Sequence, residues 1–364
     1  MKKQSMITVL LIAVCFLGFS VMCWFHPSKE YSVTERRKLA GFPEISMETL
    51  EKGKFMTDFE KYTLDQFPMR DKFRNVKSWV ENKILRKSDN NDIYVEDGYV
   101  VKMEYPLKEE SIKNAIQKFQ KIYETYLKDS GSEIYVSVIP DKNYFLAEKS
   151  GHLSMDYEKL FEMMEYGMPY AEHIAVKDLL TIGDYYQTDV HWRQEELQDV
   201  AMRLADVMSA KIRGSYEKRT LDKDFYGVYF GQSALNLPGE KLHYLTNDVI
   251  EQCVTYNYEN GEQPGIYDFA KAEGNDPYEM FLSGPVSLFT IRNPLATTEK
   301  ELMVFRDSFG SSLIPLLVEG YAKVTLIDIR YIQSDFLSNF VDFTDKDVLF
   351  LYSTVVLNNS ETLK

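Results

Sequence analysis

Two short strings hold side chains that could do chemistry together: Asp189-Val190-His191-Trp192 and, far downstream, Asp307-Ser308-Phe309-Gly310. The first offers a carboxylate and an imidazole two positions apart. The second offers a serine on a turn that follows the apolar, strand-like Met303-Val304-Phe305. A hydroxyl to attack, a base to take its proton and a carboxylate to orient and charge-balance the base are what nucleophilic serine catalysis needs. A serine between a strand and a helix is exposed at the top of a sheet, with the helix's first N–H groups aimed at the same point. The Ser308 N–H is then placed to donate to an oxyanion. Each string alone also has a plainer reading. Asp and Ser suit helix N-caps, and Thr188 or Asp189 suits a cap before a helix starting near Gln194, with His191 incidental. Trp192 reads as a packing residue with one face free for a sugar ring.

The surrounding pattern supplies elements that could bring the strings together. Ile93-Tyr94-Val95 and Tyr99-Val100-Val101, joined through Asp97-Gly98, predict a hairpin. Ile112 to Leu127 has amphipathic helical spacing, Glu133 to Pro140 reads as a buried strand, and Gln194 to Ala210 as a second helix. Ser312 to Glu319 resumes helical spacing after the serine turn. Val324 to Ile327 and Val348 to Tyr352 are short buried-type strands. Such alternation predicts an α/β fold with a mostly parallel sheet and helices on both faces. Sites in these sheets lie at the carboxyl ends of the strands, where Ser308 and the Pro140 loop both fall.

Before residue 91 the character differs. Ser5 to Trp24 is uncharged and strongly apolar, preceded by Lys2 and Lys3. At about 1.5 Å per residue it spans about 30 Å, the thickness of a bilayer core. The run exceeds the ~7–15 residues of a signal-peptide core and ends in bulky Met22-Cys23-Trp24-Phe25, so an uncleaved anchor is expected. Lys2 and Lys3 favour a cytoplasmic N-terminus, which places the remainder outside. Residues 28–90 read as a polar, partly helical stalk, with helical spacing over Thr49 to Tyr62 and Arg74 to Leu85. The turn formers Ser88 to Asp92 close it, leaving residues 1–27 as tip and span and 91–364 as the main domain.

Composition narrows the functional classes. The 364 residues are 45% apolar and 14% aromatic, enough for a large core, and 42 basic against 56 acidic residues give a net charge of −14. An acidic surface argues against a nucleic-acid partner, which needs clustered Lys and Arg. Arg36-Arg37-Lys38 is short and reads as a solvated loop. Cys15 and Cys23 lie in the apolar run, which leaves Cys253 without an internal disulfide partner. The histidines, His26, His152, His173, His191 and His243, have no metal-ligand spacing in the folded part. No cofactor or metal is expected.

Taken together the strings resemble a family. Tyr185-Tyr186-Gln187-Thr188-Asp189-Val190-His191-Trp192 is similar to the YYxTDxHW signature of the DHHW proteins and of the alginate O-acetyltransferases AlgJ and AlgX, in which a D-S-F-G serine loop follows more than a hundred residues later. The stalk resembles them too, through Glu35-Arg36-Arg37-Lys38-Leu39 and Asp65-Gln66-Phe67-Pro68-Met69-Arg70. The resemblance implies a permuted SGNH-hydrolase-like fold, with Ser308 as nucleophile, His191 as general base, Asp189 as its orienting carboxylate and Asp307 shaping the serine loop. Lys142 and Tyr352 are weaker candidates for lining the site. Arg306 stands where the better-known form has glycine, and is expected to crowd the approach to the serine. Residues 211–300 match nothing and assign no second oxyanion donor. The resemblance further implies a polysaccharide acceptor and a membrane-bound O-acyltransferase as donor partner; with the apolar run read as an anchor, a single-pass cell-membrane protein with its catalytic domain outside is expected. A carbohydrate acetylesterase with the same residues, or a non-catalytic glycan-binding or assembly protein, are the alternatives.

Overall fold

In the computed structural model the apolar run forms one helix, α1 (Lys2–Phe25). Its segment Gln4–Cys23 has a mean hydropathy of 2.6 and is long and apolar enough to cross a membrane; a signal sequence would pass the same test. The structure describes residues 2–85 and 87–364; the side chains of Lys2, Lys3 and Trp24 lie outside the described set, and with them the basic residues on which the orientation of the run rests. Residues 1–90 and 230–237 make one unit, residues 91–229 and 238–364 another.

In the first unit a two-residue ladder, β1 (Tyr31–Ser32) with β2 (Arg37–Lys38), precedes three helices, α2 (Met47–Glu51), α3 (Lys54–Asp65) and α4 (Arg70–Trp79). Helical spacing from Thr49 to Tyr62 predicts one helix, but Gly53, at φ 67°, divides it, because glycine takes the left-handed region without a steric penalty. The stalk motifs form a cluster of ion pairs. Arg37 grips Asp65 bidentately at 2.6 and 2.9 Å, and Arg70 reaches Glu35 at 2.6 Å. The Arg37 hydrogen bonds pull the Asp65 carboxyl down to about 2. Arg37 is thus a structural cation rather than part of a merely solvated basic run.

The second unit opens with a hairpin, β3 (Ile93–Glu96) and β4 (Tyr99–Lys102), whose turn residues Asp97 and Gly98 both have positive φ. Then come α5 (Glu109–Ile122), β5 (Glu133–Ile139), α6 (Lys142–Ser150), α7 (Tyr157–Gly167), β6 (Glu172–His173) and α8 (Gln198–Val207). The remaining strands are β7 (Glu217–Phe225), β8 (Glu240–Thr246), β9 (Val254–Asn257), β10 (Leu288–Arg292), β11 (Glu301–Arg306), β12 (Lys323–Ile327) and β13 (Asp347–Ser353). Seven strands form the sheet in the order β6-β5-β13-β11-β12-β10-β9. Strand β10 is antiparallel to its neighbours β12 and β9, and the other pairs are parallel. The interior strand β13 is buried throughout, as a strand covered on both faces must be. Leu349 and Leu351 join the core that includes Val200 and Leu204 of α8; Val348, Phe350 and Tyr352 join the core with Phe119 of α5 and Leu160 of α7. Helices therefore cover both faces.

Candidate active site

Strand β11 ends at Arg306, and the Asp307 carboxylate makes the turn beyond it. Its Oδ1 accepts from the Phe309 N–H (2.9 Å), and its Oδ2 accepts from the N–H and hydroxyl of Ser353 (2.7 and 2.6 Å). Ser308 is left as the one residue between 302 and 318 that is not buried. The helix after it is short. Residues Gly310–Leu313 form a single turn, which breaks into 3-10 turns at Pro315, where the ring removes an N–H and clashes with the preceding turn. The N–H groups of Phe309 and Gly310 are occupied by the Asp307 side chain and carbonyl. Among the described residues none accepts from the Ser308 N–H.

Asp189 and His191 come from a loop closed at its base by the Tyr185–Trp192 bridge and by the Tyr186 N–H donating to the His191 carbonyl (3.1 Å). The backbone bends between these two residues, and the His191 N–H donating to Asp189 Oδ1 (3.1 Å) closes a local turn that brings the two side chains together. His191 Nδ1 lies 2.6 Å from Asp189 Oδ1, and His191 Nε2 lies 2.8 Å from Ser308 Oγ. The three sequence-selected groups therefore form one continuous hydrogen-bonded relay. Asp189 is buried; Oδ1 also accepts from the His191 backbone N–H (3.1 Å) and Oδ2 from the Val228 N–H (2.9 Å). A carboxylate bonded in this way holds the imidazole in the tautomer whose Nε2 can accept the serine proton.

Several supporting residues come from the stretch that the sequence left unassigned. Tyr278 lies parallel to the His191 ring, 3.8 Å away and inclined by 7°, and fixes its plane. Burial keeps the Tyr278 phenol protonated, and its hydroxyl is 2.9 Å from Ser312 Oγ. Gly227 passes so close to Asp189 that a Cβ there would sit 2.3 Å from the Asp189 Cα, so only glycine admits the Val228 N–H to the carboxylate. Glu240 accepts from the N–H groups of Gln187 and Thr188 (2.7 and 2.8 Å) and from the Thr188 hydroxyl (2.9 Å). Aromatic and acidic residues are too common in this chain for the sequence to have singled out Tyr278 or Glu240.

The weaker sequence candidates lie behind the site rather than in it. Lys142 is buried, and its Nζ donates to the carbonyls of Tyr186 and Gln187 (3.0 and 3.1 Å), so it grips the Asp–His loop from beneath. Trp192 is also buried, with its N–H donating to the Phe309 carbonyl and Ser312 Oγ (both 3.0 Å); neither face is open to a sugar. Tyr352 packs on Phe119 at 4.8 Å, on the opposite sheet face from Leu351. The two-residue period of β13 turns it away, and Ser353, one residue on, is the residue that braces Asp307. Arg306 is fully buried, bonding Ser311 Oγ (2.9 Å) and the Gly284 carbonyl (3.2 Å), and so lies under the turn instead of crowding the serine.

Burial pushes the Lys142 ammonium down from 10.5 to about 7. Above pH 7 the folded protein has largely released this proton, while the unfolded chain keeps it up to 10.5, so the unfolded state binds more protons. Stability from this group therefore rises with pH between about 7.5 and 9.5. The Lys142→Met variant is expected to lose that part of the slope, measured as denaturant midpoints across the window; parallel profiles for the two proteins would refute it.

No family model and no curated protein sequence matches the chain. Solved structures do. A DHHW family protein from Eubacterium siraeum aligns with a TM-score of 0.60 at 18% identity, over 75% of this chain and 95% of its own. PatB1 of Bacillus cereus, solved with a sulfonyl adduct, aligns with a TM-score of 0.59 at 21% identity, over 73% of this chain and 97% of its own. At these identities the likeness defines the fold. This chain has the α/β fold of that DHHW family protein, a mostly parallel sheet with helices on both faces.

Proposed function

We propose that this protein is a membrane-anchored O-acetyltransferase acting on a polysaccharide outside the cytoplasmic membrane. The observation that carries the reading is the Asp189–His191–Ser308 relay at 2.6 and 2.8 Å, beside a Ser308 N–H that no described residue takes up. His191 takes the Ser308 proton as Oγ attacks the acetyl carbonyl of the donor. The tetrahedral oxyanion is held by the Ser308 N–H, and Asp189 stabilises the imidazolium. The donor's leaving group departs with the proton from His191, leaving acetyl-Ser308. A sugar hydroxyl then gives its proton to His191 and attacks the ester; collapse of the second tetrahedral intermediate returns a proton to Ser308 Oγ.

The acetyl donor in this reading is a membrane-bound O-acyltransferase that delivers acetyl groups across the bilayer. Helix α1, as an uncleaved anchor, would hold Ser308 at a high effective concentration near that source. An acetylesterase uses the same relay with water as acceptor. The two are separated by supplying a chromogenic acetyl ester with and without oligosaccharide. Acetylated oligosaccharide formed at the expense of free acetate supports transfer, whereas hydrolysis indifferent to the sugar makes the protein an esterase.

A further inference from the structure

Helix α4 is amphipathic the wrong way round for a helix in a water-soluble unit. Its inward face is polar: Arg74 donates to the Gly231 carbonyl (2.9 Å), and Ser78, four residues on, donates to the Ser233 carbonyl (2.6 Å). Its outward face is apolar. Met69, Phe73 and Val76, at the i, i+4, i+7 positions of one stripe, are 46%, 46% and 60% exposed, and Trp79 on the flank is 54% exposed. A soluble helix buries such a stripe, and a contiguous apolar patch left open marks an interaction surface.

The position of the stripe identifies what covers it. Phe73 and its neighbour Phe67 both hold their rings 5.7 Å from Phe19, which lies within the apolar span Gln4–Cys23. Phe19 is four residues inside the end of that span, about 6 Å below it at 1.5 Å per residue. Helices that lie in a membrane interface bury their apolar face about 5–10 Å into the headgroup and acyl boundary, with Trp favoured at that level.

We propose that α4 lies in the outer interface of the bilayer, its Met69–Phe73–Val76 stripe and Trp79 in contact with lipid. The occupant is the bilayer rather than a protein because the stripe is continuous, through Phe73 and Phe19, with the surface that α1 presents to lipid. The stalk then rests on the membrane instead of projecting from it. This rests on α1 being retained as an anchor.

The test uses the full chain in phosphatidylcholine nanodiscs, with or without bromine at the carbonyl-proximal end of the acyl chains. Trp24→Phe leaves Trp79 as the reporter over buried Trp192; Trp79→Phe leaves Trp24, at the end of the apolar run. The Trp79 emission is expected to fall by roughly half in brominated discs, as for a ring at acyl-chain depth. Val76→Asp, at an exposed position that the fold tolerates, is expected to weaken this quenching while leaving that of Trp24 intact. Quenching of Trp24 without quenching of Trp79 overturns the proposal and leaves the anchor standing; a second copy in the same disc, seen by cross-linking, would then identify the face as a protein interface. If neither is quenched, the anchor reading falls and the proposal with it.

Discussion

Ser308→Ala is expected to abolish acetyl transfer, lowering turnover by roughly 10⁴- to 10⁶-fold, the range seen when a serine nucleophile of this type is removed. The fold should not notice. Among the described residues the Ser308 hydroxyl has one side-chain partner, His191 Nε2, and the residue is partly open to solvent, whereas the turn itself is made by Asp307, Phe309 and Ser353. A substitution of that kind shifts stability by about 0.5 kcal/mol or less. Acetyl-ester on the protein, detected by mass after incubation with an acetyl donor, should be present in the wild type and absent in the variant. Transfer within tenfold of wild type in a folded Ser308→Ala protein would remove Ser308 from the mechanism.

Asp189→Asn should cost nearly as much, roughly 10⁴-fold in turnover. The carboxylate accepts hydrogen bonds from two sides, His191 on Oδ1 and Val228 on Oδ2, and an amide has only one acceptor atom. With its oxygen towards Val228, the amide NH2 faces His191 Nδ1, forcing the proton to Nε2 and leaving no base for Ser308. With its oxygen towards His191, the NH2 meets the Val228 N–H, and the imidazolium loses its counter-charge. One orientation removes the base, and the other removes the charge that stabilises the imidazolium. The loss should appear in kcat, with covalent labelling of Ser308 by a fluorophosphonate slowed in parallel. Labelling at the wild-type rate would mean that Asp189 only caps its loop.

Period and punctuation made much of the architecture legible. The hairpin through Asp97-Gly98, the buried strands β5, β12 and β13 and the amphipathic α5 all stand where apolar spacing predicts them. The misreadings have physical causes. Gly53 and Pro315 interrupt helices that spacing alone would continue, because backbone freedom and a missing N–H outrank periodicity at single positions. Tyr352 and Trp192 are aromatic residues next to chemically engaged ones, and a sequence does not reveal which side of a strand or loop faces the cleft.

By itself the sequence determined which groups are available to react: a carboxylate and an imidazole two apart, and a serine on a strand-ending turn. Residue type and short-range spacing are local properties, and an Asp two residues before a His can bond its backbone N–H and ring in one turn. Only the tertiary structure decided that they reach Ser308, because a 2.8 Å contact across 117 residues depends on the order in which β5, β13 and β11 pair. It also decided what holds them there. Gly227, Val228, Glu240 and Tyr278 act through close approach, backbone N–H direction and ring stacking. Those properties belong to positions in space, and nothing in the residue types announces them.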